Sequence, residues 1–425
     1  MSVKFLEIFK ENFVIQILLF FTLIFPLILL VGSAVINLSI VLMNIFFLIH
    51  IFNEKKYNFF KNNIFYSLMS LWFFLILNTL LNENFNENFS RSFSFIRFII
   101  LVFLFAYILT YKDYKFKNAV FKTWSIIFII VTIDLIFEYI FGFNSLNFKS
   151  NYGGRLVGFM DDQLKIGHWY LCFSLIFLSY HFNQQKINFF YKYKMIFFLL
   201  LSLLISFIIG ERANFIRLLA AITFLIIIVR FLNLKHLLIF IFSIIAFFTF
   251  LIDYDKYKNN GLIERYFKEI NHVLKKESLK EINNNNKYTP LYLNAYDLYK
   301  KNKLLGVGPG SYLLKSHENF TMNNKIKGYD ILPNTHPHQY HFEILATLGL
   351  PGYFFIITFL LYFLIKSFRF YINQKNYITL TSSLFILVFL IPLLPTGSFF
   401  TTYGASMFWL NFSLMTLGNF KNSDH

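Results

Sequence analysis

Long apolar runs separated by short polar links recur along almost the whole chain. A membrane-crossing helix needs about 20 mainly apolar residues, and runs near that length lie at Phe13–Val31, Ala34–Phe52, Ile64–Leu81, Phe93–Tyr111, Ala119–Phe141, Ile166–Phe182, Met195–Ile209, Asn214–Phe231, His236–Ile252, Phe342–Ile365, Tyr377–Leu394 and Tyr403–Leu417. The pattern predicts an all-α polytopic membrane protein with about twelve transmembrane helices. Three regions follow: an N-terminal transmembrane bundle of nine helices over 1–253, a large loop over 254–341, and three C-terminal transmembrane helices over 342–425.

Orientation is read from Lys and Arg in the links, because cytoplasmic links carry the excess. With the N-terminus inside, the cytoplasmic pieces hold 17 Lys and Arg against 5 in the short outer links, Arg91, Lys149, Arg155, Lys165 and Arg212. Both termini are therefore expected in the cytoplasm. Lys4, Glu7, Lys10 and Glu11 precede the first run, and no small-residue cleavage site follows it, so it reads as a retained helix.

The loop from Tyr254 to Tyr340 has 14 Lys and Arg against 8 Asp and Glu and falls on the outer, periplasmic side by parity. Leu262, Ile263, Tyr266, Phe267, Ile270, Val273 and Leu274 repeat at helical spacing, and so do Leu291, Ala295, Leu298 and Tyr299. Two amphipathic helices that cap the bundle or lie on the membrane surface are expected there.

Composition agrees. The 425 residues are 57% hydrophobic and 14% charged, with a mean hydropathy of +0.56, whereas a soluble domain is roughly a quarter charged. The formal charge of +17 sits mostly in links, which makes it a topology signal and argues against nucleic acid as a partner. Cys172 is the only cysteine, so neither an intramolecular disulfide nor a cysteine metal site can form.

The chemistry concentrates where the large loop ends, at Asn334-Thr335-His336-Pro337-His338-Gln339-Tyr340-His341. His336, His338 and His341 lack the helical pair and acidic partner of zinc enzymes, so no metal and no cofactor are expected. A turn at Gly306-Val307-Gly308-Pro309-Gly310-Ser311 has no Gly-Lys-Ser/Thr and no preceding strand, which excludes a nucleotide P-loop. Arg212 can reach water from the outer end of its helix, whereas Arg217 lies roughly 7 Å deeper. A buried cation needs a polar cavity or a partner, and Glu211, Asp134 and Glu138 are the acidic candidates. Asp134 and Glu138 share one helix face and are expected to hold an arginine or form an acid pair.

His338 and Gln339 are followed after nine residues by Gly349 and two residues later by Gly352. That spacing resembles the motif of O-antigen ligases and related lipid-linked polysaccharide polymerases. The Gly306–Ser311 turn, Gly210-Glu211-Arg212, and the stretch from Arg155 with Gly158, Asp162 and Gly167 are similar to further family segments. The chain departs from the pattern in three places. Thr347 and Leu348 stand where the family often has Glu, Gln163 stands where Glu is expected, and Arg265 is the only arginine in a loop that usually carries a functional one, with Lys287 or Lys315 as substitutes.

The resemblance implies a membrane glycosyltransferase that moves a glycan from a polyprenyl-diphosphate-linked donor to a sugar hydroxyl on a glycolipid or glycan acceptor. It implies His338 as general base, Arg212 and Arg217 as diphosphate ligands, and His336 and Gln339 beside the substrate. Gly306, Gly308, Gly310, Gly349 and Gly352 are the motif glycines. A polymerase would share this chemistry, and a lipid-linked glycan transporter is the rival of another class, one that would use charged sites near the bilayer midplane.

The charge asymmetry fixes an expected outcome. A reporter active only outside the cytoplasm, fused within 275–286, should be active, and one fused after Lys375 should be silent. The reverse result would invert the orientation.

Overall fold

The computed structural model describes residues 13–111, 114–161, 165–183, 189–230, 233–258, 261–267, 288–323, 325–326 and 329–420. Asp162, Gln163, Lys287 and the second half of the first expected amphipathic helix, with Ile270, Val273 and Leu274, lie outside the described residues. The helices are α1 (Phe13–Val31), α2 (Ser33–Asn53), α3 (Asn63–Leu80), α4 (Phe85–Ser94), α5 (Ile96–Tyr111), α6 (Tyr114–Phe141), α7 (Ile166–Asn183), α8 (Phe189–Ile208), α9 (Arg212–Val229) and α10 (Leu234–Lys258). In the large loop α11 (Thr289–Lys301) and α12 (Tyr312–Met322) follow, with a two-stranded hairpin pairing β1 (Lys325–Ile326) and β2 (Tyr329–Asp330). The chain ends in α13 (Tyr340–Gln374), α14 (Tyr377–Phe389) and α15 (Thr402–Phe420).

Each expected apolar run is helical over most of its length, although the helix in Tyr377–Leu394 stops at Phe389, and α11 covers the second expected amphipathic helix. The separate helix α4 and the loop helix α12 were not foreseen. Among the described residues, nine helical segments are long and apolar enough to cross a membrane. The other three expected spans, α7, α14 and α15, do not reach that length and apolarity.

Their position explains this. α15 packs against α5, α13 and α14, and α7 packs against α6, α8 and α14. Nearly every residue of α7 and α15 is buried, so these helices meet protein on all sides and need no apolar surface for lipid. Their small polar residues bond to backbone instead, as when Ser413 donates to the Val102 carbonyl at 2.7 Å and Thr416 to the Phe412 carbonyl at 2.9 Å.

Helix breaks inside the bundle are satisfied by neighbours. Pro26 in α1 has no N–H, which frees the Thr22 carbonyl, and the Trp124 indole donates to it at 2.9 Å.

The largest break lies in α13. Gly349 has φ +67° and ψ −170°, and Pro351 follows. The Leu350 N–H turns away to the Lys303 carbonyl, and Pro351 has none to give, so the carbonyls of Ala346 and Thr347 lose their helical donors. Val307 and Gly308 donate to them at 2.9 and 2.8 Å. The two glycine motifs thus form one backbone junction that fastens the large loop to the start of α13. A Cβ at Gly306 would lie 2.3 Å from the Thr347 carbonyl carbon, and one at Gly349 would lie 2.3 Å from the Leu304 oxygen.

Substitution should therefore be costly. Gly349→Ala should destabilise the protein by about 1–3 kcal/mol from the left-handed backbone alone, with a further cost from the clash. Gly397, which has open space around its Cβ position, should accept Ala with little change. Equal thermal unfolding of the two variants would refute the junction.

Candidate functional site

The Gly-rich turn is built by side chains from α3 and α4. Asn88 accepts from the amides of Gly310 and Ser311 at 2.8 and 3.0 Å and donates to the Val307 carbonyl. Asn78 and Asn82 donate to the carbonyls of Leu305 and Gly306, and Arg91 donates to that of Pro309 at 2.8 Å. The amides of Gly306, Val307 and Gly308 bond to backbone carbonyls. With its N–H groups engaged, the turn is an anchor and has no free amide cradle for a phosphate.

That anchor positions the histidine segment. His338 has φ +56°, a left-handed value that a residue with a Cβ seldom adopts, and its carbonyl accepts from the Thr396 amide at 2.6 Å. Its ring lies with the His336 ring at a centroid distance of 4.1 Å and edge-on to Tyr288 at 5.9 Å. Gln339 is fully buried and caps α13, accepting from the Phe342 amide and reaching the Ile391 carbonyl. Both ends of its amide are thus occupied by protein, and Gln339 holds the turn rather than facing a substrate. His341 donates from Nε2 to the Leu390 carbonyl at 2.9 Å, and its Nδ1 bonds to the Tyr353 hydroxyl at 3.0 Å, so both ring nitrogens are tied into the fold. Burial first, then the charges of His338, Arg91 and Lys165, pull the His336 ring down to about 3.

The segment 390–401, between α14 and α15, faces this turn. Glu343 accepts from the Ser398 hydroxyl and, at 2.7 Å, from the Phe399 amide. Arg217 donates to the carbonyls of Leu394 and Pro395 at 2.9 and 2.5 Å and to Asn214 at 3.1 Å, with its guanidinium over the Phe389 ring. Arg217 is 1% exposed, and both of its terminal nitrogens donate to groups of the protein.

The acidic partners proposed for Arg217 are also engaged elsewhere. Asp134 accepts from the Ser145 amide, and Glu138 from the amides of Val157 and Gly158 at 2.8 Å. These carboxylates hold the loop after α6 against its own helix, and the expected arginine or acid pair is not what they form.

Arg212 lies in a different setting. It donates to the Arg265 carbonyl at 3.3 Å, and Arg265 donates to the Gly210 carbonyl at 3.0 Å. Arg155 pairs with Glu211 at 3.2 Å. Backbone close approach makes this possible: a Cβ at Gly210 would lie 1.9 Å from the Gly154 oxygen. Three guanidinium groups thus gather around Glu211. Burial first, and then the charges of Arg155 and Arg212, lower the Arg265 pKa from its ordinary value. Tyr288 connects this cluster to the histidines, facing His338 and lying within electrostatic reach of Arg265.

The loop-covered end of this bundle of apolar helices thus carries paired imidazoles and clustered guanidiniums. Residues 197–357 match a family model described as O-Antigen ligase, Wzy_C. The match contains Arg212, Arg265, the Gly-rich turn and His338 through Gly352, and it supports the resemblance found in the sequence. The family points to an O-antigen ligase or polymerase-like glycosyltransferase in a multi-pass bacterial membrane protein. A comparison with curated proteins finds none that matches.

Arg265, the loop's arginine, lies beside Arg212, whose guanidinium donates to its carbonyl, a contact that a lone arginine on an amphipathic pattern does not reveal. The 390–401 segment was also missed. Its only signal was the Pro392, Pro395 and Gly397 interruption between two apolar runs.

The low His336 pKa has a sign that can be checked. An unfolded ring gains a proton near 6.5 and the folded ring only near 3, so its stabilising effect is present above 6.5 and is lost as pH falls from there toward 3. Nitrogen-15 NMR of the histidine rings should find His336 still neutral at about pH 5, where an ordinary imidazole is charged. Protonation near 6.5 would show that the ring is not buried in this way.

Proposed function

We propose that the chain transfers a glycan from a polyprenyl diphosphate to a sugar hydroxyl at the periplasmic face of a bacterial inner membrane, in the manner of an O-antigen ligase. The observation that carries this reading is that Tyr288, edge-on to the His338 ring at 5.9 Å, is also within electrostatic reach of Arg265, which lies beside Arg212 and Arg155. An imidazole and a concentrated positive charge are the two groups such a reaction needs.

The bond broken joins the anomeric carbon to a diphosphate oxygen, which leaves with its electron pair. Fixed guanidiniums stabilise the charge that develops there, and their planar forks match phosphate oxygens. Arg212 is assigned this contact, with Arg155 and Arg265 adding to the field. The acceptor hydroxyl attacks from the opposite side, so the anomeric centre inverts. His338 takes the hydroxyl proton as that bond forms. His336, kept neutral, borders the same space and offers the acceptor a polar contact without a competing positive charge. No metal or cofactor enters the proposed steps; the acceptor is a glycolipid such as a lipid A–core, and both termini lie in the cytoplasm.

The test is transfer in vitro with purified protein, a polyprenyl-diphosphate glycan and a glycolipid acceptor. Arg212→Lys should lose most activity while the protein still accumulates, because Lys keeps the charge and loses the bidentate geometry. His338→Ala should lower turnover roughly 100-fold or more, the scale of general-base removal, and His336→Ala should cost less. Wild-type rates in His338→Ala would end the proposed mechanism. A deletion strain that accumulates single lipid-linked units in place of lipid-linked polymer would move the reading to a polymerase.

A further inference from the structure

We infer that the segment 390–401 is the positioning element of the site, and that Arg217 and Glu343 act through it to hold His338 in its working posture. This rests on the transferase reading and assigns Arg217 a part that the reading alone does not.

Five contacts carry the inference. His338 needs an outside restraint, because its left-handed φ of +56° is disfavoured for a residue with a Cβ. The restraint is the Thr396 amide on its carbonyl at 2.6 Å. Thr396 is in turn fixed on both sides within the segment. Arg217 grips the carbonyls of Leu394 and Pro395 just before it, and Glu343 grips Ser398 and the Phe399 amide just after it. The two charged groups come from different helices, α9 and α13, so the segment is clamped between helices that do not follow one another in sequence.

The chemistry of the grips is selective. A guanidinium suits this place because its Nη2 donates to both adjacent carbonyls while its Nη1 is held by Asn214, and a carboxylate suits a hydroxyl beside an amide because both of its oxygens accept. Exchanging either for an apolar residue would leave backbone groups unpaired in a buried site, at a cost well above that of a surface hydrogen bond. Arg217 is 1% and Glu343 2% exposed, which places them behind the reacting groups. Arg217 is accordingly a positioning residue, whereas Arg212 remains the proposed diphosphate ligand.

The experiment compares Arg217→Lys and the milder Ser398→Ala with wild type, as full-length protein in lipid nanodiscs. It reads donor KM and kcat, deuterium exchange at the amides of Thr396 and Phe399, and the nitrogen-15 resonance of the His338 ring. The inference expects faster exchange at those amides, a shifted His338 resonance, and a kcat lowered about tenfold or more with donor KM changed less than about twofold. A raised donor KM with unchanged exchange would make Arg217 a donor ligand and overturn it. Faster exchange with unchanged kcat would reduce the segment to a structural loop and also overturn it. Should Arg217→Lys exchange faster throughout, as an unfolded protein does, Ser398→Ala decides by the same three readings. A wild type with no transfer activity would refute the transferase reading separately. Exchange and the His338 resonance would then still test the clamp, and no change in either would overturn it.

Discussion

Every backbone N–H and carbonyl inside a bundle surrounded by lipid must find a partner within the protein, since no water is available to supply one. That constraint accounts for the arrangement of the loop end. Wherever a helix breaks, a group from elsewhere in the chain closes the gap, as the Trp124 indole does at Thr22 and the amides of Val307 and Gly308 do at Thr347 and Ala346. The kink at Gly349 is therefore more than a bend. By releasing two carbonyls at a fixed place it creates a socket for the Gly-rich turn, and the turn brings the large loop to the start of α13, where the histidines stand. A spacing of glycines that reads in sequence as a motif is, in three dimensions, one half of a backbone junction whose other half lies about forty residues earlier in the chain.

The same constraint separates two arginines that sequence alone treats alike. Arg212 and Arg217 are on one helix, both near its loop end. Arg217 turns inward, where released carbonyls of Leu394 and Pro395 compete for its donors. Withdrawing that guanidinium would leave the carbonyls unpaired in a dry interior, at several times the worth of an exposed bond. Arg212 sits one turn or more nearer the loops, among other cations, and burial first, then this crowding, lowers the pKa of its neighbour Arg265. Like charges gathered at one place lose stability in the resting protein, and a dianionic ligand would relieve that repulsion.

Much of the architecture was legible before the structure, because lipid-facing helices carry an unambiguous signal: long runs with few charges. The twelve expected spans are helical over most of their length, the one to Leu394 ending early at Phe389, and the expected helix around Leu291–Tyr299 is α11. The reading was least complete where protein meets protein. Helices α7 and α15 carry Ser, Thr, Asn and Gly at positions that a purely apolar count discounts, since their surroundings are other helices. Short amphipathic helices such as α4 merge into the following apolar run, and only the inward bonds of Asn88 and Arg91 give α4 a reason to be separate.

The site divides in the same way. His338 was visible because its neighbours in sequence, Gln339 and the two glycines, are also its neighbours in the fold. Arg155 and Arg265 stood out only as single residues, and segment 390–401 not at all, because each reaches its place through pairing partners far along the chain: Glu211 for Arg155, Gly210 for Arg265, and Arg217 with Glu343 for the segment. Local patterns record which groups a short stretch brings together, whereas a buried polar network records which distant groups satisfy one another. In a membrane enzyme the second kind of information is concentrated at the active end, where helices must open to admit substrate and every opened backbone group needs a partner from elsewhere. The residues hardest to read from sequence are thus those that hold the recognisable ones in place.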